Sequence, residues 1–334
     1  MPTMPPEELP MHVSPHVRAV QVPDDNPMHP QFTNIYLVGD GQALTIDSGE
    51  AIERYRWMLR GYLAATERTE VAIAAITHHH SDHSGNLKWA REVFGAEVAI
   101  PGNARPLLKG RLPSQGVSRL SDGQVLDMGG GARVRVLVTP GHSVDSVCYY
   151  LEEDGVLFTG DTLLGSTTTT VNDLGEYRHT LAMLLQLPNL KVICPGHGPL
   201  VHDPRERLQS YIDHRNMRER QVLDALARGG AQTSWDIMLH LYPDIDTRLR
   251  FAADGNVRSH LKQLEDEGRI KAYPGKPRNP SAARQLREVE HARFRERVIK
   301  QAERMKAGQR RALLRAQENP PAGMWIEPPR YELS

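Results

Sequence analysis

The chain has 334 residues, which exceeds the usual size of one domain and fits two. Its 41 Lys and Arg residues balance 41 Asp and Glu residues, which excludes a uniformly basic nucleic-acid coat and an acidic tail protein but not a local patch. The two cysteines, Cys148 and Cys194, cannot build a disulfide scaffold, and both lie in apolar runs typical of buried thiols in a reducing cytosol. With no long apolar run and no secretory signal pattern, we expect a cytoplasmic protein without membrane contact.

Short apolar runs rich in Val, Ile and Tyr alternate with helical patterns over roughly the first 200 residues. Helices are predicted at Ala51–Thr66, Asn86–Phe94 and Glu176–Leu187. Strands and helices interleaved in this way predict two sheets with helices outside them, which is an α/β sandwich. The predicted strands are His16–Val22, Thr33–Val38, Ala43–Asp47, Val71–Thr77, Glu97–Ile100, Arg133–Thr139, Ser146–Leu151 and Val156–Phe158.

A second pattern, more charged and helical, begins after about residue 203. Helices are predicted at Pro204–Gly229, Thr233–Leu241 and Arg248–Glu267, with Gly255 expected to interrupt the last, and a short strand is predicted at Arg269–Tyr273. Three helices followed by a strand and a Gly/Pro turn are typical of a winged helix. Its expected core consists of Val222, Leu223, Leu226, Ile237, Leu241, Val257, Leu261 and Leu264.

The change in pattern along the chain predicts three parts. These are a larger α/β domain at 1–214, a small winged-helix domain at 215–280, and a long C-terminal helix with a Pro-rich tail at 281–334. The helical stretch Ser281–Gln317 holds 11 Lys and Arg against 4 Glu, a net charge of +7. A solvated, lightly packed helix is one interpretation of this stretch, and an arm that binds nucleic acid or a partner is the other.

A histidine-rich segment, THHHSDH at 77–83, directly follows the apolar strand. Side chains two apart in an extended chain point the same way, so His78, His80 and Asp82 are expected to face one cavity. His83 is expected to join them as the chain turns into the next helix. Imidazole and carboxylate groups at this density suit Zn²⁺ or a neighbouring transition metal.

Three later positions share one pattern, a ligand-type residue next to glycine after a strand. They are His142 in TPGHS, Asp161 in TGDT and His197 in CPGHG. Glycine lets the backbone turn tightly, so that such a side chain can reach inward from the end of a strand. Each position alone is a weak signal, because a Gly-His pair is common in loops.

In this order, the segments THHHSDH, GHS, GD and PGHG, together with IDSG at 46–49, resemble the metallo-β-lactamase fold superfamily over about residues 16–200. The resemblance implies that 1–214 is a catalytic αββα sandwich with a dinuclear metal centre between its sheets. It implies two Zn²⁺ ions as cofactors, with Mn²⁺ and Fe as alternatives. Carried over by position, it implies His78, His80 and His142 on the first metal, Asp82, His83 and His197 on the second, and Asp161 bridging both.

The same resemblance gives roles to residues around the ligands. Asp47 matches an acid that orients a ligand by hydrogen bonding, whereas His79 occupies a variable position and is not expected to bind metal. Thr77 and Ser84 are expected to form local hydrogen bonds and to mark the helix start. A hydroxide bridging the two metals would attack an acyl carbon or a phosphorus, and Asp82 is the catalytic residue expected to carry the proton to the leaving group.

The ligand set narrows the reaction class. No cysteine falls in the motif, which departs from lactamases that use a cysteine on the second metal, and Asp161 instead matches glyoxalase-type thioesterases, lactonases and nucleases of this fold. The chain has no HExxH, GxSxG or Walker motif, so rival hydrolase chemistries lack support.

The segment from Pro195 to Gly268 resembles the branch of this superfamily in which a winged helix follows the sandwich, as in PGHGPLVHDP, YIDHRNMRERQVLDAL and NVRSHLKQLEDEGRI. That branch includes single-strand-specific endoribonucleases and fungal acyl-carrier thioesterases. The charges of Asn256–Glu267 are mixed, which favours a wall of the active-site cleft over groove binding. We expect hydrolysis of a small-molecule thioester, ester or lactone. The alternatives are a metal-dependent endoribonuclease acting on single-stranded RNA and a metal-stabilised regulator without activity.

Overall fold

The computed structural model describes residues 11–23, 31–65, 69–277 and 325–334. The described residues within Met1–Thr169 and Gly175–Ile212 form one compact unit, and those within Thr170–Leu174 and Asp213–Ser334 form a second. The predicted basic helix Ser281–Gln317 lies outside the described residues. None of the helices that the structure describes combines the length and the apolar character that crossing a bilayer requires.

The first unit contains a seven-stranded sheet, in which four antiparallel strands are followed by three that continue in parallel. Parallel neighbours need a long crossover, and helices supply it between the fourth, fifth and sixth strands. The strands are β1 (Met11–Ser14), β2 (Val17–Pro23), β3 (Phe32–Val38), β4 (Gln42–Ile46), β5 (Glu70–Ala75), β6 (Glu97–Pro101) and β7 (Val117–Leu120), and the helices are α1 (Glu53–Ala65), α2 (Ser81–Ser84) and α3 (Leu87–Phe94).

A five-stranded sheet in the order β12-β11-β10-β9-β8 completes this unit. Its strands β9, β10 and β11 are antiparallel neighbours, and β12 returns parallel to β11 after a helical crossover. The elements are β8 (Val125–Asp127), β9 (Arg133–Val138), β10 (Val147–Leu151), β11 (Val156–Gly160), α4 (Leu174–Leu185) and β12 (Val192–Pro195).

The two sheets share one buried core. Tyr36 of the first sheet packs edge-on against Phe158 of the second, with ring centroids 5.2 Å apart. Successive residues of a strand point to opposite faces, so Ile35 and Leu37 lie on the other side, where they pack with Leu59 of α1. Helices thus cover the outer face of the first sheet, and the predicted α/β sandwich is confirmed.

The second unit has the three helices and the strand predicted for a winged helix. Its core contains the predicted set, with Leu223 and Leu241 partly buried and the other six members buried. The capping box formed by Thr233 and Asp236 sets the start of the middle helix. The elements are α5 (Pro204–Leu226, from residue 213 onward), α6 (Ser234–Leu241), α7 (Arg250–Asp266), β13 (Ile270–Tyr273), β14 (Lys276–Pro277), β15 (Trp325–Glu327) and β16 (Arg330–Leu333).

Two features of this unit differ from the sequence expectation. Helix α7 runs unbroken through Gly255, so the predicted interruption was wrong. Glycine costs only about 1 kcal/mol in a helix interior, and the burial of Val257 and Leu261 in the core outweighs that penalty. In addition, the far C-terminal strands β15 and β16 pair antiparallel with β14 and β13, which gives the winged-helix sheet strands that the sequence had not indicated.

Candidate metal centre

Seven side chains singled out in the sequence converge at one edge of the sandwich. Strands β9, β11 and β12 run in the same direction, so the loops after their carboxyl ends meet there, and the loop after β5 joins them. The side chains form two groups in which one ligand atom from each residue lies within 4.8 Å of the others. The groups are His78, His80, His142 and Asp161, and Asp82, His83, Asp161 and His197.

The first group brings three imidazoles together. Nε2 of His78 lies 2.8 Å from Nδ1 of His80, and Nε2 of His142 lies 3.2 Å from the same atom. The far nitrogens of His78 and His142 are each held by a threonine hydroxyl at 3.0 Å, from Thr77 and Thr169. Burial, followed by the neighbouring imidazoles, lowers the pKa of His78 and of His80 well below the usual value, so both rings stay neutral as metal ligation requires.

The second group combines two imidazoles with two carboxylates. Nε2 of His197 lies 3.1 Å from Oδ2 of Asp82 and 3.4 Å from Oδ1 of Asp161. Nε2 of His83 lies 3.5 Å and 3.3 Å from the same two oxygens. Burial lowers the pKa of His83, but the carboxylates of Asp47, Asp161 and Asp82 outweigh burial and raise it well above the usual value. These surroundings attract positive charge.

Asp161 belongs to both groups. Its Oδ1 faces His83 and His197, while its Oδ2 lies 3.7 Å from Nε2 of His142. Burial raises the pKa of Asp161, but His197, His83 and His142 outweigh burial and hold it well below the usual range. The carboxylate therefore stays ionised with one oxygen directed to each group.

The groups fit bound cations. Nε2 of His83 and Oδ1 of Asp161 are buried, and neither makes a well-formed hydrogen bond among the described residues. Buried polar atoms are nearly always satisfied, so such a pair indicates an absent partner that both can bind. Imidazole nitrogen with carboxylate oxygen is a donor set that suits Zn²⁺, and also Mn²⁺ and Fe.

Asp47 connects the two groups. Its Oδ2 accepts a hydrogen bond from Nδ1 of His83 at 2.7 Å, and its Oδ1 accepts from the backbone nitrogen of Thr77 at 2.7 Å. The Thr77 hydroxyl also donates to this carboxylate, so it accepts from Nδ1 of His78 and leaves Nε2 of that ring directed inward. Asp47 adopts a left-handed backbone conformation, φ 66°, that Asp tolerates better than most residues.

Two glycines allow the loops to approach this closely. A Cβ built on Gly196 would lie 2.6 Å from Cε1 of His83 and 2.9 Å from Oδ1 of Asp161. A Cβ on Gly160 would collide with the side chain of Thr77. The glycines that precede His197 and Asp161 thus provide space for side chains of other loops, besides the turns expected from the sequence.

The route by which the first four residues reach the site differs from the expectation. Strand β5 ends at Ala75, and residues 77–79 form a bend rather than an extended strand. Asp82 and His83 lie on the single turn of α2, which puts both neighbours into the second group. The expected alternation along an extended strand was therefore wrong, although the four side chains do lie close together.

Some contacting residues had no signal in the sequence. Thr33 lies 3.0 Å from Nδ1 of His197 although the two are 164 positions apart, and Thr169 contacts His142 across 27 positions. A threonine carries no motif of its own, so only the fold identifies these two. His79 is in neither group.

Comparisons with known proteins find similarity in both units. A family model described as the metallo-beta-lactamase superfamily matches residues 29–197, and one described as the beta-lactamase associated winged helix domain matches residues 233–276. The second match confirms the predicted winged helix and the branch that carries it.

Individual proteins are similar to the chain in sequence and in structure. The chain is 39% identical over 213 residues to the atrochrysone carboxyl ACP thioesterase of Aspergillus fumigatus, and the match covers 63% of this chain and 65% of that protein, just under two thirds of its length. It is 34% identical over 243 residues to the beta-lactamase-like protein 2 homolog of Caenorhabditis elegans, covering 71% and 80%. The crystal structure of a metallo-beta-lactamase family protein from Thermus thermophilus superposes with a TM-score of 0.65 at 28% identity, covering 78% and 96%.

Proposed function

Because the chain belongs to the metallo-beta-lactamase superfamily of hydrolases, we propose that it is a dinuclear zinc hydrolase of thioester, ester or lactone bonds. A single observation carries this proposal. The two ligand groups share Asp161, and two of their buried atoms, Nε2 of His83 and Oδ1 of Asp161, are directed at each other without a well-formed hydrogen bond among the described residues.

The proposed ligands are those the two groups contain: His78, His80 and His142 for the first cation, Asp82, His83 and His197 for the second, and Asp161 for both. When bound, the two cations would lower the pKa of water and polarise the bond to be hydrolysed. The threonine and aspartate partners orient four of the imidazoles, those of His78, His83, His142 and His197, so that the other nitrogen of each ring is directed inward.

Asp82 has a second proposed role, transfer of a proton to the leaving group. Its Oδ2 faces the imidazoles of His83 and His197, and its side chain is 11% exposed, so the carboxylate lies at the boundary between the buried cluster and solvent. With the proton delivered by Asp82 and the attacking oxygen taken from water, no serine or cysteine nucleophile is needed. Cys148 and Cys194 are both buried and belong to neither group.

An acyl thioester is the substrate class we favour. The relative named as a thioesterase is the main support, since it shares 39% identity over 213 residues. We retain the division into a catalytic domain at 1–214, a winged helix at 215–280 and an extension at 281–334. We further propose a cytoplasmic location, which suits the buried free thiols.

The second candidate is cleavage of single-stranded RNA, favoured by the winged helix and by the net charge of +7 in Ser281–Gln317. Ion pairs made by Asn256–Glu267, the segment that would serve as the recognition helix, count against RNA cleavage. Nε of Arg258 lies 3.1 Å from Oδ2 of Asp254, and Nζ of Lys262 lies 2.9 Å from Oδ2 of Asp173. Arg258 and Lys262, the two cations within Asn256–Glu267, thus already face carboxylates, which weakens their attraction for phosphate.

A substrate panel tests the proposal. Zinc-loaded and manganese-loaded protein would be assayed on acyl thioesters, esters, lactones and single-stranded RNA, with the His80→Ala variant as the blank. A matched chain would replace residues 278–324 by a short Gly/Ser linker, since Pro277 and Trp325 are paired neighbours that such a linker can join.

We expect acyl turnover that is insensitive to salt and retained in the linker chain. RNA cleavage would instead fall with ionic strength with a log–log slope of about −0.7 per phosphate contact, and the slope would flatten in the linker chain. Efficient RNA cleavage of that kind without acyl turnover would reverse the order of the two candidates.

A further inference from the structure

His79 lies between two proposed ligands but belongs to neither group. Its ring is buried, and Nδ1 lies 2.7 Å from Oδ1 of Asp145. A carboxylate only accepts hydrogen bonds, so Nδ1 of His79 is the donor. The same oxygen of Asp145 accepts from the hydroxyl of Ser143 at 2.5 Å, and this hydroxyl lies 3.2 Å from Nδ1 of His79. The three side chains form one closed hydrogen-bonded cluster.

This cluster joins two loops that carry ligands of the same group. His79 is flanked by His78 and His80, whereas Ser143 and Asp145 immediately follow His142. A backbone hydrogen bond from Val147 to Thr77, with the nitrogen and oxygen 2.9 Å apart, also joins the two segments. The side-chain cluster is a contact between these loops that lies directly beside the proposed ligands and does not involve their rings.

The His79 end of the cluster is fixed from a second direction. Its backbone carbonyl accepts hydrogen bonds from Oγ of Ser84 at 2.9 Å and from Nη1 of Arg111 at 2.5 Å. Ser84 Oγ also donates to the carbonyl of His80. With its carbonyl and its ring both held, His79 has little freedom to rotate without moving its neighbours His78 and His80.

We propose that the Ser143–Asp145–His79 cluster is a clamp that sets the distance between His80 and His142 and thereby the metal affinity of the first group. His79, Asp145 and Ser143 are positioning residues in this proposal and do not bind the cation. The inference rests on the proposed metal centre. It assigns a role to a histidine that the ligand motif leaves unexplained.

The expected loss of metal affinity can be taken from other groups that orient metal ligands by hydrogen bonding. Removal of such hydrogen-bonding partners typically costs about 10–100-fold in metal affinity. The clamp acts at His79 and Ser143, which are the direct neighbours of His78, His80 and His142, whereas the rings of His83 and His197 in the second group are held by Asp47 and Thr33. The loss should therefore be confined to the first group.

Two full-length backgrounds separate the groups. The His197→Ala chain keeps all ligands of the first group, and the His142→Ala chain keeps all ligands of the second. Into each background we would introduce His79→Ala and His79→Asn. Asparagine places its amide nitrogen close to the position of the histidine Nδ1, so it retains the donor to Asp145, whereas alanine removes it. Zn²⁺ affinity would be measured by competition with a chromophoric chelator.

We expect His79→Ala to weaken zinc binding about 10–100-fold in the His197→Ala background and less than about twofold in the His142→Ala background. His79→Asn should recover most of the loss. Asp145→Ala should repeat the effect of His79→Ala, and the two changes combined should cost little more than either alone because both break one contact. Circular dichroism of each metal-free variant would check folding, and the His79 pair serves if Asp145→Ala does not fold.

Three results would overturn the clamp. One is unchanged zinc affinity of the first group in folded His79→Ala protein, and another is an equal loss in both backgrounds, which marks a general destabilisation. The third is a loss in His79→Asn as large as in His79→Ala. Failure of the unaltered chain to bind zinc would instead count against the proposed function, so the two failures are distinguishable.

Discussion

Oδ2 of Asp47 lies 2.7 Å from Nδ1 of His83, and the same carboxylate reaches His78 through the hydroxyl of Thr77. One buried acid thus orients an imidazole of each proposed metal group. The two sites are therefore expected to respond together to changes at this position, even though they share only Asp161 as a ligand.

Substitution of Asp47 tests that connection. Asp47→Asn should weaken zinc binding at both sites by about 10–100-fold, since the asparagine cannot accept from Thr77 and His83 in the same arrangement. Asn tolerates the left-handed backbone of this position, so the change isolates the carboxylate from backbone strain. Zinc affinities in the His197→Ala and His142→Ala backgrounds are the measurement. A loss confined to the His83 group would contradict the connection through Thr77.

A methyl group at Gly196 should disturb the centre from the loop side. Gly196→Ala would direct a carbon at Cε1 of His83 and Oδ1 of Asp161, so zinc content and hydrolysis should both fall at least about tenfold. Gly102→Ala is the matched control, because a Cβ there meets only a carbonyl oxygen at 3.5 Å. The zinc content of the two purified proteins is the measurement. Equal zinc content in both would show that the loops can accommodate a Cβ at Gly196 without displacing the proposed ligands.

The C-terminal strands should stabilise the second unit. Deleting residues 325–334 removes the partners of β13 and β14, so the melting temperature of this unit should fall and proteolysis of it should accelerate. The linker chain lacking residues 278–324 keeps both pairs and should melt like the parent. A deletion without effect on melting or proteolysis would mean that the pairing contributes little to stability.

The thiol of Cys148 should be inert in the folded chain. Burial raises its pKa to about 11, although hydrogen bonds with Thr139 and Thr162 oppose that shift, so almost no thiolate is present at pH 8. Because the thiolate is the reactive form, an aromatic disulfide reagent should label this cysteine only after denaturation. Rapid labelling of the native protein at pH 8, localised to Cys148 by peptide mapping, would contradict its burial.

Whether a strand of the sandwich could be predicted from the sequence depends on its position in the sheet. All eight strands predicted for the sandwich exist, but β1, β7, β8 and β12 were missed, and these four are the edges of its two sheets. These edge strands have only three or four residues, too few positions for an alternating pattern, so the sequence offers little to detect. Interior strands such as β3, β10 and β11 are buried along nearly their whole length and carried a strong apolar signal.

The residues of the candidate site were likewise only partly predictable from the sequence. The proposed ligands in the dense local motif, such as His78, His80 and His83, could be recognised in the sequence, because a polar cluster after an apolar strand is unusual. Thr33, Thr169 and Asp145 could not be recognised in this way. Each contacts a histidine far along the chain, and only the fold brings the two residues together.

The number of metal ions bound at saturation tests the dinuclear centre most directly. Metal-free protein dialysed against Zn²⁺ would be analysed for bound zinc, together with His78→Ala, Asp161→Ala and, as control, His202→Ala, which alters an exposed histidine outside both groups. We expect two zinc ions per chain in the unaltered protein and in the control, and fewer in the other two variants, with loss of hydrolysis. One zinc ion or none in the folded, unaltered chain, or full zinc content in Asp161→Ala, would contradict a centre in which Asp161 serves both metals.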